Sequence, residues 1–379
     1  MKFLFVGTNP EHTGAATHFV ALAQAMAEAG HDVSAIVYPD GIISHGLSQS
    51  NVRLHHARFR NIFDLRGYRA VFAAAKQQRP DWLIGNFGKE YWPLVLCGRL
   101  LGVKVALFRH RTPAMSRISN YFLPRLADRF FAVSKYAMQA YLDNGVPAEL
   151  VQILYNPVNM AVYKPDIQEA NSTRHELGIP ANAVVVGYFG RMSDGKGIFT
   201  LLEAANAAMR DNPALHCLWV GDGPDANLLR ERIAAQAETA ARHHLTGWKQ
   251  DVHRYYNAVS MLAFPSKLPE TFGRVAVEAQ ASGVPVLGSN VGGVPETLRS
   301  EVTGLLIAST DVAAWHRGIS MLSDPKRRES MGHAARLFVD HEFSTRVIAE
   351  AFGEVLNAKR IPLPQHSTNS GSIRSDTTI

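Results

Sequence analysis

Cysteine is nearly absent from this chain of 379 residues, which holds only Cys97 and Cys217. No CxxC or other ligand spacing occurs, which argues against a disulfide framework or a cysteine-bound metal and suits a reducing compartment. Long apolar runs are also missing. The run in Met1-Lys2-Phe3-Leu4-Phe5-Val6-Gly7 is shorter than the roughly 7–15 residues of a secretion-signal core, so it reads as a buried strand. The greasiest stretch, Trp92 to Phe108, is cut by Arg99 and Lys104 and falls short of the about 20 apolar residues of a spanning helix. No transmembrane segment is expected. Two nucleotide fingerprints are absent as well. There is no GxxxxGK[ST], and the first strand runs into Gly7-Thr8-Asn9-Pro10-Glu11-His12 where a dinucleotide fold would need G-x-G-x-x-G. No DxD-like carboxylate pair follows a strand, and the basic residues lack aromatic interleaving, so nucleic acid is not expected as a partner.

What is present is an ordinary globular composition, 46% hydrophobic and 19% charged, at a length that favours two domains. The formal charge of +6 is unevenly spread. Residues 1–160 carry 17 Lys+Arg against 10 Asp+Glu, and residues 161–379 carry 22 against 23. Over 53–135 the balance is 16 basic to 4 acidic. Such a surplus reads either as a solvated basic face or as a docking surface for an anionic membrane, a lipid phosphate or a charged glycan. Phe59, Phe63, Tyr68, Tyr121 and Phe122 lie in the same stretch, where core packing competes with shallow membrane insertion as their use.

Short apolar segments alternate with helix-length ones in two rounds. Strands are predicted near 2–7, 33–37, 82–85, 104–108 and 129–133, with helices near 15–29, 67–78, 92–101 and 135–143. After a proline-broken stretch, Asn156 to Asn182, strands recur near 184–189, 215–220, 260–264, 285–288 and 304–307. Helices accompany them near 198–210, 225–240, 273–282 and 311–322, and two more follow near 325–339 and 344–358. This rhythm predicts an α/β protein with two doubly wound parallel sheets, whose strand ends border a shared cleft. The expected units are an N-terminal domain over 1–160, a second over 161–340, a helix within 341–360 packing back on the first, and a disordered tail at 361–379.

Chemistry is therefore sought at strand ends. Gly190-Arg191-Met192-Ser193-Asp194-Gly195-Lys196-Gly197 follows a strand and opens a helix, offering glycines, amides and two cations to a diphosphate. Pro265 to Glu278 also follows a strand, with Glu270 in the loop, Thr271, Phe272 and Gly273 at the helix start, and Glu278 about two turns in. Two carboxylates can accept bonds from vicinal hydroxyls, as on sugars and ribose. Val220-Gly221-Asp222-Gly223-Pro224 and Gly292-Gly293-Val294-Pro295-Glu296 end two further strands. In the first half, Gly14 opens a helix and His110 lies past the strand 104–108.

In this order, GRxxxxKG, VGDGP, PSxxxExFGxxxxE, GxPV and GGxPE resemble the motif set of glycosyltransferase family 4. Asn156-Pro157-Val158 is similar to its NGV interdomain segment, and Ala27 to Val33 to its L…GHxV beginning. The resemblance implies a GT-B fold and a retaining transfer from a UDP- or GDP-linked sugar to a glycan or lipid-linked acceptor. Lipopolysaccharide or other envelope polysaccharide synthesis would be the setting, in the cytoplasm or peripherally at the inner face of the membrane. It implies that Arg191 and Lys196 hold the donor diphosphate beside Gly190, and that Glu270, with the Thr271, Phe272 and Gly273 amides, contacts the transferred sugar. Glu278 would hold the ribose, Gly14 the phosphates from the first domain, and His110 would lie near the anomeric centre. The base would be read by backbone near Gly247–Asp251. No cofactor and no metal is implied, because cations take the metal's part. Two positions depart from the family: Thr13 precedes Gly14 where a second glycine is common, and Arg111 follows His110 where aspartate is common. A catalytically silent nucleotide-sugar-binding subunit and a related epimerase or phosphorylase are the competing readings.

Overall fold

The computed structural model describes residues 1–112 and 115–358, so the tail expected at 361–379 lies outside the described residues. The first unit contains β1 (Lys2–Gly7), α1 (Gly14–Glu28), β2 (Asp32–Val37), α2 (Ile42–Leu47), β3 (Arg53–His56), α3 (Leu65–Gln78) and β4 (Trp82–Gly85). It continues with α4 (Gly88–Leu101), β5 (Lys104–Arg109), α5 (Arg117–Leu126), β6 (Arg129–Ala132), α6 (Lys135–Leu142) and β7 (Val151–Ile153). The second unit contains α7 (Ile167–Glu176), β8 (Val184–Phe189), α8 (Ile198–Asp211), β9 (Leu215–Val220), α9 (Ala226–Ala234), β10 (His243–Gly247) and α10 (Val252–Ala258). It then runs through β11 (Met261–Phe264), α11 (Arg274–Ala281), β12 (Val286–Ser289), β13 (Gly304–Ile307), α12 (Val312–Leu322) and α13 (Pro325–Phe343), after which comes the last helix, α14 (Thr345–Asn357).

Both sheets are parallel and doubly wound, in the orders β3-β2-β1-β4-β5-β6-β7 and β10-β9-β8-β11-β12-β13. Helices cover both faces, which is why the central strands are continuous apolar runs with five of six residues buried in β1 and β8. The order reverses between β1 and β4 in one sheet and between β8 and β11 in the other. At such switch points the connections diverge to opposite faces and leave a crevice beyond the strand ends. The loop after β1 leads into Gly14 at the start of α1, and the loops after β8 and β11 carry Gly190–Gly197 and Pro265–Gly273, so the topology delivers the candidate motifs to two crevices.

Three strands escaped the sequence reading, β3, β7 and β10, and all three include or sit at sheet edges. An edge strand is covered less completely and needs no apolar run; β3 reads Arg53-Leu54-His55-His56. The helix expected over 225–240 stops at Ala234, and that expected from 92 starts at Gly88, with Pro93 inside it. The helix expected from 273 begins at Arg274, so Thr271, Phe272 and Gly273 precede it and Glu278 stands about one turn in rather than two.

The last helix joins the first unit. Phe352 on α14 lies 5.4 Å from both Phe108 and Phe131, in one apolar cluster with Phe3, Phe5 and Phe19. Arg129 fastens its end, donating to the carbonyls of Val355 (2.9 Å) and Ala358. On the opposite face of that sheet α3, α4 and α5 lie side by side. Phe59 is buried there, but Phe63, Tyr121 and Phe122 are exposed, Phe63 to 80%, so core packing is not their use. Among the described residues no helix is long and apolar enough to cross a membrane.

Candidate active site

The two crevices face each other across one cleft of about 590 Å³. Its walls include Gly14, His110, Asn156, Gly190, Arg191, Lys196, Glu270, Thr271, Phe272, Gly273 and Arg274. All the sequence-predicted site residues thus meet in one place except Glu278, which is buried one turn behind the α11 start.

On the first domain, Thr13 accepts from the Ala16 amide (3.2 Å) and so starts α1 at Gly14. The helix presents its first amides, which have no intrahelical partner, to the cleft. On the second, the Gly190–Gly197 loop is shaped by neighbouring glycines. Met192 donates to the Asp222 carbonyl (2.9 Å), and a Cβ on Gly221 would sit 1.9 Å from the Gly190 carbonyl oxygen, so VGDGP cradles the Gly190–Gly197 loop. Gly197 takes φ +72°, and a Cβ there would meet the Pro265 oxygen at 1.9 Å. The Lys196 loop and the Pro265 loop therefore touch backbone to backbone, and Lys267 and Leu268 donate to the Gly195 carbonyl.

That contact pairs Lys196 with Glu270, whose Oε1 also accepts from Ser266 Oγ (2.9 Å). Arg191 is exposed at the cleft, and its carbonyl accepts from the buried Tyr188 hydroxyl (2.7 Å). Glu278 accepts from Arg274 Nη2 (2.7 Å) and from the Tyr256 hydroxyl (3.0 Å). Arg274 was not selected from the sequence, because an arginine at a helix start is ordinary; only its i,i+4 spacing to Glu278 hints at the pair.

His110 is neutral at physiological pH. Burial pushes its pKa down to about 3, with Arg274 and then Arg109 adding repulsion. Its ring stands 4.6 Å from that of His18, whose Nδ1 faces the Asn86 amide at 3.1 Å. Burial, then His110 and Arg274, keep His18 neutral too. Among the described residues, His110 Nε2, Asn156 Oδ1 and Arg274 Nη1 are buried with no hydrogen-bond partner, and all three residues line the cleft. Buried polar atoms are nearly always satisfied in folded proteins, so these orphans mark where a polar ligand would complete the site.

The GGxPE motif backs the Glu270 loop. Gly293 donates to the Glu270 carbonyl (2.7 Å), and Glu296 crosses to the first domain, accepting from the Lys135 and Tyr136 amides (2.8 and 2.9 Å) and from Tyr155 (3.0 Å). A carboxylate on the first amides of α6 is favoured by the helix dipole. Ser134 adds a bond to the Thr271 carbonyl (2.5 Å).

Comparison with known proteins agrees with this architecture. Residues 169–338 match the family described as glycosyl transferases group 1, and residues 12–162 match glycosyltransferase family 4. The D-inositol 3-phosphate glycosyltransferase of Salinispora arenicola is 30% identical over 306 residues, 73% of this chain and 68% of that protein. The lipopolysaccharide 1,2-N-acetylglucosaminetransferase of Salmonella typhimurium is 28% identical over 262 residues, 65% of this chain and 68% of that protein. The first curated relatives are matched over only 40% and 44% of their own length. Among solved structures, Anabaena HepE in complex with UDP and glucose superposes with a TM-score of 0.80 at 22% identity, covering 95% of this chain and 100% of that one. Two family profiles that together run from residue 12 to 338, a relative aligned over most of both chains and the paired parallel sheets lead to one conclusion: this chain belongs to glycosyltransferase family 4 and has the GT-B fold.

Proposed function

We propose that this protein is a retaining glycosyltransferase that takes a sugar from a UDP- or GDP-linked donor without a metal ion. The observation that carries the reading is the meeting of Arg191, Lys196, the first amides of α1 and α11, and Glu270 at one cleft, with Glu278 buried one turn behind it and bonded to Arg274 in its wall. When the anomeric bond breaks, negative charge grows on the leaving β-phosphate and positive charge on the sugar. Arg191, Lys196 and the helix-start amides stabilise the first. Glu270, with the backbone of Thr271 to Gly273, would hold the transferred sugar's hydroxyls. Glu278 would hold the ribose, and Gly14 lets the α1 amides approach the phosphates closely. Neutral His110 can accept or donate a hydrogen bond near the anomeric carbon, but it is not a cation there. The cations take the part a metal would play, so no metal or other cofactor enters the reading.

The acceptor we propose is a glycan or lipid-linked sugar of the cell envelope, presented at the inner face of the cytoplasmic membrane. The named relatives act on inositol phosphate or lipopolysaccharide, and the exposed face of α3 to α5 suits an anionic bilayer. It combines Phe63, Leu65, Phe72, Leu96, Leu100, Ile118, Tyr121 and Phe122 with exposed Arg60, Arg66, Arg69, Arg99 and Arg117. A silent binding subunit is disfavoured by the intact cation and carboxylate set.

Hydrolysis and transfer assays with a panel of UDP- and GDP-sugars, run in EDTA, test this reading. One donor should turn over in EDTA with the anomeric configuration kept. Turnover lost in EDTA and restored by Mg²⁺ or Mn²⁺ would reject the metal-free part, and no turnover with any donor would favour the silent subunit.

A further inference from the structure

Arg274 is the first residue of α11, and its side chain runs toward the other domain, with Cδ 3.6 Å from where a Cβ on Gly14 would lie. The guanidinium therefore sits where the α1 and α11 starts approach each other. Both helix starts present the positive ends of their dipoles there, and Arg191 and Lys196 line the same cleft. A third cation in that place adds to the positive field. Glu278 balances Arg274 through Nη2 (2.7 Å), while Nη1 is buried with no partner among the described residues. A guanidinium held this way has a donor to spare and a surrounding field that asks for an anion. Asn156, 4% exposed and lining the same cleft with Oδ1 unpartnered, is an independent sign that a polar ligand belongs there.

The geometry points to Arg274 as a further donor-binding residue: Nη1 donates to the diphosphate of the nucleotide sugar while Nη2 keeps hold of Glu278. The inference rests on the nucleotide-sugar reading and deepens it. One guanidinium then ties the phosphates to the carboxylate assigned to the ribose, and it reaches them from the second domain toward the α1 amides of the first. Nucleoside and diphosphate are read by coupled groups, and a ligand lacking phosphates leaves Nη1 unused.

Calorimetric titration of the full chain separates this from a purely structural ion pair. UDP, GDP, uridine and guanosine are each titrated into wild type, Arg274→Gln and Arg274→Lys, with weak nucleoside binding read by competition. Arg274→Gln should weaken the nucleoside diphosphate that binds wild type by about tenfold or more beyond whatever its parent nucleoside loses through Glu278. Arg274→Lys keeps a cation beside Glu278 but presents one nitrogen, so it should fall between the two for the diphosphate and match wild type for the nucleoside. It carries the test alone if Arg274→Gln does not fold. Equal losses for nucleoside and diphosphate would mean that Arg274 only positions Glu278 and would overturn the inference, as would wild-type diphosphate affinity in both variants. If wild type binds neither UDP nor GDP, the nucleotide-sugar reading itself falls, and this inference with it.

Discussion

Lys196 does not stand free for a phosphate: it is bonded to Glu270, and Ser266 holds the same carboxylate oxygen. The family resemblance gives phosphate to one and sugar to the other, yet a donor would have to share or exchange their bond. Lys196→Ala should lower kcat/KM by about 10²-fold or more, through loss of a charge-assisted bond that strengthens as the leaving group departs. It also strands Glu270, so the Lys196→Ala, Glu270→Gln double variant should lose less than the product of the single losses. Steady-state kinetics of the four proteins measures this, and multiplicative losses would show the pair to be uncoupled. A second carboxyl, Glu90, is fully buried at the start of α4. Its Oε1 accepts from the Thr8 amide (2.7 Å) and hydroxyl (2.6 Å), while Oε2 has no partner among the described residues. Burial raises its pKa to about 7, against the Thr8 bonds and Lys89. A folded-state pKa above the unfolded one means that the native state binds the extra proton. That contribution to stability is complete below pH 4.5 and is lost as pH rises to about 7, at up to roughly 1.4 kcal/mol per pH unit. Glu90→Gln keeps an acceptor for Thr8 and removes the titration. Urea unfolding between pH 4.5 and 7.5 should therefore show a flatter profile for the variant, and parallel profiles would refute the assignment.

At the scale of elements, the site is made by loops that can touch because side chains are missing. Gly197 joins the Lys196 turn to α8 with φ +72° and no room for a Cβ beside the Pro265 carbonyl. Gly197→Ala should destabilise the chain by about 2–4 kcal/mol, from strain and from separating the two loops. It should also weaken donor binding, and a thermal midpoint equal to wild type would contradict the packing. This logic also says what the sequence could reveal. Central strands such as Val184–Phe189 are apolar on both faces and announce themselves, and glycine-rich strand ends mark where a ligand approaches. Edge strands β3, β7 and β10 carry no such run and were not legible. The motif residues were legible one by one, but their partners were not. Nothing in the order of residues says that Glu296 crosses to the α6 amides, or that Asn156 and Arg274 leave polar atoms unpaired in the cleft. Such pairings depend on how the two sheets face each other, a property of tertiary packing that local periodicity does not carry.

At the scale of the whole molecule, charge and greasiness are segregated. The 16 to 4 basic surplus of residues 53–135 falls on the domain whose α3–α5 face also exposes aromatic and aliphatic side chains. A basic residue near an anionic leaflet contributes about 1 kcal/mol, screened over ~8 Å at physiological salt, so several together give reversible attachment. Co-sedimentation with anionic and neutral vesicles should show binding to the anionic ones at low salt and its loss near about 0.5 M. Replacing Phe63 and Tyr121 by Ser should weaken the anionic-vesicle binding, and no preference for anionic vesicles at any salt would sink membrane docking. The donor reading makes a different demand, that both domains contact one ligand. Amide hydrogen exchange with and without UDP or GDP measures it most directly. One of the two nucleotides should slow exchange together at residues 13–17 of the first domain and at 190–197 and 270–278 of the second. Protection confined to one domain, or none with either nucleotide, would contradict a shared nucleotide-sugar cleft.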